Sequence, residues 1–468
     1  METTLQETVK TAWQKSKWIV KGCIIGFLAL LMMIPMLYVK NLIFEREERQ
    51  KEAAREISSK WAGKQNIIGP VIGIPFWQTQ EGDTGTARKS VRKNIAYFLP
   101  DKLNITAMVN PKEKHRGIFK VMLYDTKATL SGSFTKPAFD KLGISAEQVI
   151  WNEAFVIMNI ADNKGLNDQL TLNWKDSLIE LSPEAGSSSD RMTAPLAASS
   201  AEDIANVNFT TTIDLNGSEQ LFFTPVGKLT TVNMESAWKH PSFSGSMLPQ
   251  TSDVSDSGFK ASWKSMSHKR SFPQQWIGNA YRLDHYFPLP VEEKPVRFDG
   301  SIRAADAPPV TAASVGASAF GVDLFIPVNG YQKTLRTIKY ALLCILLTFA
   351  AFFLIETAHK KSVHPFQYGL VGLALILFYT LLLSFSEYTG FNTAYMIASA
   401  ATIGLIAWFV KGVLQSGRAT SVLSVVLVLI YAYVFSLLQL QDYSLLLGSI
   451  GLFLTLAVVM YFSKKLQW

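Results

Sequence analysis

Two groups of residues in this 468-residue chain have the types and spacing that chemistry needs. The first begins at His240, Pro241, Ser242 and Phe243 and continues through Asp253, Ser255, Asp256 and Ser257. Pro241 drives residue 240 out of helical geometry, and Gly245, Pro249 and Gly258 mark tight turns nearby. A histidine among hydroxyls and carboxylates suits a polar lip that recognises a glycan or a partner protein. It also suits a fold-defining loop with its imidazole hydrogen-bonded, or a hydrolase in which His240 activates a nearby serine. The second group is Glu356, His359, His364 and Glu387, all at the ends of apolar runs. Ionisable residues near membrane depth are costly and point to function by default. Glu356 and His359 are spaced for an i, i+3 pair. His359 and His364 straddle a short turn, where lipid or interfacial contact is a simpler reading than zinc. Glu387 reads as an interfacial helix end, as a contact for the soluble part, or as a proton-sensitive group.

Other chemistries are excluded by pattern. The chain has no HExxH, no P-loop, no strand-linked GxGxxG and no G-x-S-x-G elbow. Both cysteines, Cys23 and Cys344, fall inside apolar runs. The polar middle of the chain therefore holds no disulfide, thiolate nucleophile or cysteine metal site. No cofactor and no catalytic residue is assigned. The net charge of +8 invites a nucleic-acid reading. Much of the excess sits in lysines flanking apolar runs, where topology and anionic headgroups explain it, so no nucleic-acid partner is expected.

These residues are positioned by apolar runs of membrane length. They are Gly22 to Val39, Tyr340 to Ile355, Tyr368 to Ser386, Phe391 to Val410, Thr420 to Leu438 and Leu445 to Phe462. Lys10, Lys15, Lys17 and Lys21 precede the first. Lys360 and Lys361, Lys411 and Arg418, and Lys464 and Lys465 fall on that same side if every run crosses. The positive-inside rule then puts both chain ends in the cytoplasm. Lys333, Arg336 and Lys339 run against the rule, but long domains translocate regardless of charge. The first run is too long for a cleaved leader, and Leu37-Tyr38-Val39 lacks small residues, so an uncleaved signal anchor is expected.

The expected organisation is a membrane protein with a cytoplasmic segment 1–21, an anchor helix 22–39 and a juxtamembrane helix 40–61. A large, mainly-β periplasmic domain 62–332 follows, then a five-helix transmembrane block 333–463 and a tail 464–468. The stretch from Asn41 to Trp61 places Glu and Arg at helical spacing, as in a solvated stalk, a dimerising helix or a lever. From Ile67 to Phe76, β-branched residues bounded by Gly and Pro suggest an edge strand or a bulged entry. Short strands are expected at Ile95 to Leu99, Ile105 to Val109, Ile118 to Tyr124, Thr129 to Phe134, Gln169 to Trp174, Val207 to Leu215, Leu221 to Val226, Leu229 to Met234 and Gly258 to Trp263. Asn216-Gly217 signals a hairpin, and Leu142 to Glu147 a small helix. This pattern suits a β-sandwich or barrel-like body. Ser182 to Ala205 and Ala304 to Ala319 read as loops, the first dividing two lobes.

Several blocks carry a family resemblance. They are IIGPVIGIP from Ile67, HPSFSGSMLP from His240, VSDSGFKASW ending at Trp263, FPQQW ending at Trp276, and HPFQYGLVGLALILFYTLLLSFSEYTGF from His364. Together with the helix–domain–helices layout, they resemble the CreD family of bacterial inner-membrane proteins across almost the whole chain. The resemblance implies a role in cell-envelope integrity or the envelope stress response, and supplies no catalytic residues. The leading expectation is a non-enzymatic polytopic inner-membrane protein whose doubly tethered periplasmic domain meets an envelope protein or glycan. A small-molecule or lipid transporter using the helical block is the alternative, and a periplasmic enzyme the third. The lipid bilayer is the one certain partner class, and the sequence leaves homo-oligomerisation open.

Overall fold

The computed structural model describes residues 20–80, 90–184, 190–285, 287, 313–324, 330–359, 362–439, 446–451, 453, 457 and 460. Lys10, Lys15, Lys17, Lys360, Lys361, Lys464 and Lys465 lie outside them. So do Ser187 to Ser189, residues 304–312 and half of the run Leu445 to Phe462. The chain divides into two units, Met1–Glu52 with Val328–Trp468, and Ala53–Pro327.

Among the described residues, five helices are long and apolar enough to cross a membrane. They are α1 (Val20–Trp61), α3 (Ala341–His359), α4 (Pro365–Thr389), α5 (Phe391–Leu414) and α6 (Gly417–Gln439). A short α2 (Gly330–Lys339) precedes α3. The sequence suggested no helix there. It is amphipathic, burying Tyr331, Thr334 and Thr337, so its lysines and arginine mark the polar face of a surface-type helix rather than a crossing.

α1 spans 42 residues, with a one-residue turn at Met32 before the helical stretch Met33–Trp61. Its membrane portion buries Ile25, Ala29, Met32, Met36, Val39 and Ile43. That alternating 4–3 spacing is the apolar seam of a helix packed along its length. The other face, including Phe27, Leu30, Ile34 and Tyr38, is exposed. The seam meets α4 closely. A β-carbon at Gly372 would lie 3.0 Å from the Met32 sulfur, an approach that only a small residue allows. Beyond the membrane portion, Arg49 pairs with Glu45 at 2.6 Å and Lys60 with Glu56 at 2.9 Å, the helical spacing read from the sequence.

In the second unit, two large sheets share one apolar core. The nine-stranded sheet runs Pro241–Gly245, Phe320–Leu324, Gln220–Phe223, Gln65–Gln80, Phe155–Ile160, Arg191–Pro195 and Ser182–Pro183, with Ser90–Phe98 and Gln275–Ile277 branching from Gln65–Gln80. The eight-stranded sheet runs Thr251–Ser255, Gly258–Met266, Leu229–Ser236, Lys102–Arg116, Phe119–Phe134, Val207–Ser218, Thr171–Trp174 and Ser177–Glu180. Trp263 of one sheet stacks on Phe320 of the other, with ring centroids 5.8 Å apart. The body is a sandwich.

Four local expectations change. Gln65–Gln80 lies inside its sheet, so the edge-strand reading fails while the bulged entry is present. Its register shifts between Ile68 and Val71, and Pro70 sits in that bulge, where its missing N–H costs no ladder bond. Ile118 to Tyr124 and Thr129 to Phe134 form one strand, because Asp125, Thr126 and Lys127 all pair with the facing strand. Asn110 donates to Asp125 and Thr126 donates to the Met108 carbonyl, each at 2.9 Å. Asn216-Gly217 is no hairpin. Both residues continue the ladder opposite Asp125 and Tyr124, and a side chain at 217 would fall on the Tyr124 ring. The chain turns two residues later, at Glu219 with φ 61°, and passes into the other sheet. Finally, Ser182 to Ala205 divides no lobes, since Arg191–Pro195 within it pairs with Phe155–Ile160. The small helix appears as two 3₁₀ turns, Phe139–Leu142 and Ala146–Gln148.

Candidate functional site

The β unit does not gather its sequence candidates. Among the described residues, Pro241–Gly245 is an edge strand held only by Phe320–Leu324. Within it, Phe243 is a packing residue, edge-on to Phe259 and Trp263 at 5.6 Å. The backbone carbonyl of His240 accepts from the Trp238 indole at 2.9 Å, and its ring stands edge-on to the same indole. Ser242 faces Asp323 across the ladder. Asp253 lies on a different edge, that of the eight-stranded sheet, opposite Lys260. Asp256 sits in the exposed turn of that hairpin. Among the described residues, no hydrogen bond or ion pair joins His240 to Ser242, Asp253 or Asp256.

Charge is buried elsewhere in this unit. Arg270 donates to the Val226 carbonyl at 2.6 Å and to Gln274, and lies over the Phe272 ring. Burial pushes its guanidinium down to about 10. The FPQQW block is thus a clamp, because Gln274 in turn donates to the Leu99 and Pro100 carbonyls at 2.9 and 2.7 Å. Burial holds the Asp323 carboxyl above its usual range, against the pull of a hydrogen bond from Ser244. Burial pushes the His285 imidazole down to about 4, against the opposing charges of Asp190 and Asp284. Asp190 lies 3.5 Å away.

The membrane unit does not bring its four candidates together either, but two of them, Glu356 and Glu387, are each buried among partners. Glu356 is wholly buried on α3. One carboxylate oxygen accepts from Lys21 Nζ and from Val363 N, the latter at 2.9 Å. The other accepts from Tyr368 Oη at 2.7 Å. Lys21 also donates to the Val363 carbonyl at 2.7 Å. The carboxylate is therefore fully satisfied, as a buried charge must be. The expected Glu356–His359 pair does not form. His359 is exposed and its Nδ1 lies 2.9 Å from the carbonyl of Ile355, on its own helix.

His364 has a different task. It is the N-cap of α4, its Nδ1 accepting from Phe366 N at 3.2 Å. Gln367 reaches back to His364 N at 3.0 Å, completing a capping box, with Pro365 in the first turn. HPFQY thus reads as a cap, a helix-starting proline, the reciprocal cap and a tyrosine aimed at Glu356. Among the described residues, no three His, Cys, Asp or Glu side chains form a metal-holding group.

At the other end, Glu387 of α4 accepts from Tyr331 of α2 at 3.0 Å. Arg46 of α1 stands 3.9 Å from the same oxygen. Burial and the Glu387 carboxylate together hold the Tyr331 phenol above its usual range. Between the two carboxylates, the bundle is filled by aromatics. Phe378 packs against Tyr379, Tyr395 and Tyr431, and Tyr395 donates to the Tyr431 carbonyl at 2.8 Å.

The residues missed from sequence are Lys21, Arg46, Tyr331 and Tyr368. A signal for the first two was present. They stand on the 4–3 seam of α1, four residues before Ile25 and three after Ile43. At 1.5 Å per residue they are about 37 Å apart, a little more than the hydrocarbon core of a bilayer.

The sequence profile of a family described as Inner membrane protein CreD matches residues 17–468. A curated relative, Inner membrane protein CreD of Escherichia coli (strain K12), is 29% identical over 444 residues, covering 94% of this chain and 91% of the relative.

Proposed function

Because the chain belongs to the CreD family of inner membrane proteins, we propose that it is a non-enzymatic protein supporting cell-envelope integrity or the envelope stress response. Its β unit lies in the periplasm in this reading, and both chain ends lie in the cytoplasm. The observation that carries it is connectivity. The β unit leaves the membrane unit between Glu52 and Ala53 and rejoins it between Pro327 and Val328, so it is tethered at both ends. A cysteine-free sandwich suits a periplasm, where it needs no disulfide to hold a core of this size.

Recognition of an envelope protein or glycan falls, in this reading, to the exposed sheet edges. These are Pro241–Gly245 with His240 and Ser242, and the hairpin bearing Asp253 and Asp256. The scattered placement of these groups supports interaction over hydrolysis. The aromatic packing around Phe378 supports a structural bundle over a transporter, which needs polar groups or broken helices near the midplane.

Deleting the gene is expected to raise sensitivity to detergents and cell-wall drugs, with the full-length chain restoring resistance. Unchanged sensitivity across such stresses sinks the envelope role. Alkaline phosphatase fused at residue 200 is expected to be active, and a fluorescent protein there dark. The reverse result inverts the topology.

A further inference from the structure

The two ends of the membrane portion of α1 are held with very different security. At the Lys21 end, Glu356 is 0% exposed and Lys21 16%. Both carboxylate oxygens are engaged, and the ammonium has a second acceptor in the Val363 carbonyl. Opening this end strands a carboxylate in a medium that cannot solvate it. At the Arg46 end, Glu387 is 8% exposed but Arg46 is 38% exposed, and they stand 3.9 Å apart, longer than a hydrogen bond. Glu387 has a closer partner in Tyr331, which donates to it at 3.0 Å. Arg46 has carboxylates on either side in its own helix, Glu45 and Glu47, engaged by Arg49 and Lys51. Lys333 of α2 lies over the Phe391 ring.

We propose that α1 pivots about a fixed Lys21–Glu356 hinge, and that Arg46–Glu387 is a releasable clasp between α1 and α4. The seam between them suits such a tilt. Met32 and Met36 are unbranched and flexible, and Met32 packs on Gly372, which has no side chain of its own, beside Phe349. A tilt about Lys21 displaces the Arg46 end most. From that end the chain enters the β unit at Ala53. This device goes beyond the proposed envelope role and does not depend on it.

The test uses full-length protein in lipid nanodiscs, with Cys23→Ser and Cys344→Ala removing the native thiols. Spin labels at Leu42→Cys and Tyr388→Cys report the clasp, and labels at Ile24→Cys and Phe366→Cys report the hinge. All four positions are exposed. Pulsed dipolar spectroscopy reads both distances. Glu387→Gln or Arg46→Ala is expected to shift the clasp distribution to longer distances and leave the hinge distribution unchanged. The double swap Arg46→Glu with Glu387→Arg is expected to restore the short clasp distance. Two outcomes overturn the proposal. One is a clasp distance that neither single variant moves. The other is a hinge distance that shifts together with it, the mark of wholesale undocking or misfolding. Glu356→Gln is the control variant, expected to disturb both distances.

Discussion

The two units handle charge in opposite ways. In the β unit most ion pairs are on the surface, such as Lys136 with Glu202 at 2.5 Å, both largely exposed. Its buried cation, Arg270, is held by carbonyls and an amide rather than by a carboxylate. In the membrane unit the carboxylates are the buried partners, and each is met by a cation from α1. The difference follows from solvent. Water screens the sandwich surface, so an ion pair there is nearly free to break. A bilayer offers no such screening, so a carboxylate persists only where donors converge on it. Buried charge therefore marks where the fold is specified. In one unit it fixes a loop onto a sheet, and in the other it fixes one helix against its neighbours.

That contrast can be broken or sharpened in order of expected effect. Glu356→Ala, which leaves Lys21 unpaired, is expected to destabilise the membrane unit by about 3–5 kcal/mol, read by thermal unfolding in detergent. Replacing both partners, by Lys21→Met with Glu356→Leu, is expected to recover most of that loss. Equal losses from the single and double variants would show that the pair itself stabilises. Arg270→Met removes the clamp from the Val226 carbonyl and Gln274. It is expected to cost the β unit about 2–3 kcal/mol, followed by the fluorescence of its tryptophans.

Acid should also separate the units. The His285 imidazole titrates near 4 in the folded β unit and near 6.5 when unfolded. Above 6.5 both forms are neutral and its burial is fully tolerated. As pH falls from 6.5 toward 4, the unfolded chain takes up a proton that the folded one refuses, so stability declines. His285→Leu should flatten that part of the pH–stability curve, and an unchanged slope removes His285 as its source. The smallest effect belongs to Lys136→Ala, below about 0.5 kcal/mol. A larger loss would mean that the sandwich surface is not as well screened as argued.

The membrane runs and the β texture were legible because each is a local pattern, read from residue spacing. The partners of Glu356 and Glu387 were not, because Lys21 and Glu356 are 335 positions apart. The seam of α1 was nonetheless on the page. Its apolar residues recur at 4–3 spacing with a cation at each end. Asn216-Gly217 misled for a physical reason. The pair is a turn signal when its glycine needs positive φ, but here Gly217 is small to admit the Tyr124 ring. His364 carried a capping signal in full, with Pro365 and Gln367 following.

The placement of Phe320–Leu324 has a consequence for how the protein is made. This strand is the last of its sheet in chain order, yet it lies between Pro241–Gly245 and Gln220–Phe223. Synthesis proceeds from the N-terminus, so this slot stays empty until the ribosome has passed residue 324, just short of α2. Until then the sandwich has an unfilled gap with two raw strand margins. A nearly finished body must therefore be shielded during synthesis, and only a late stretch of nascent chain seals it.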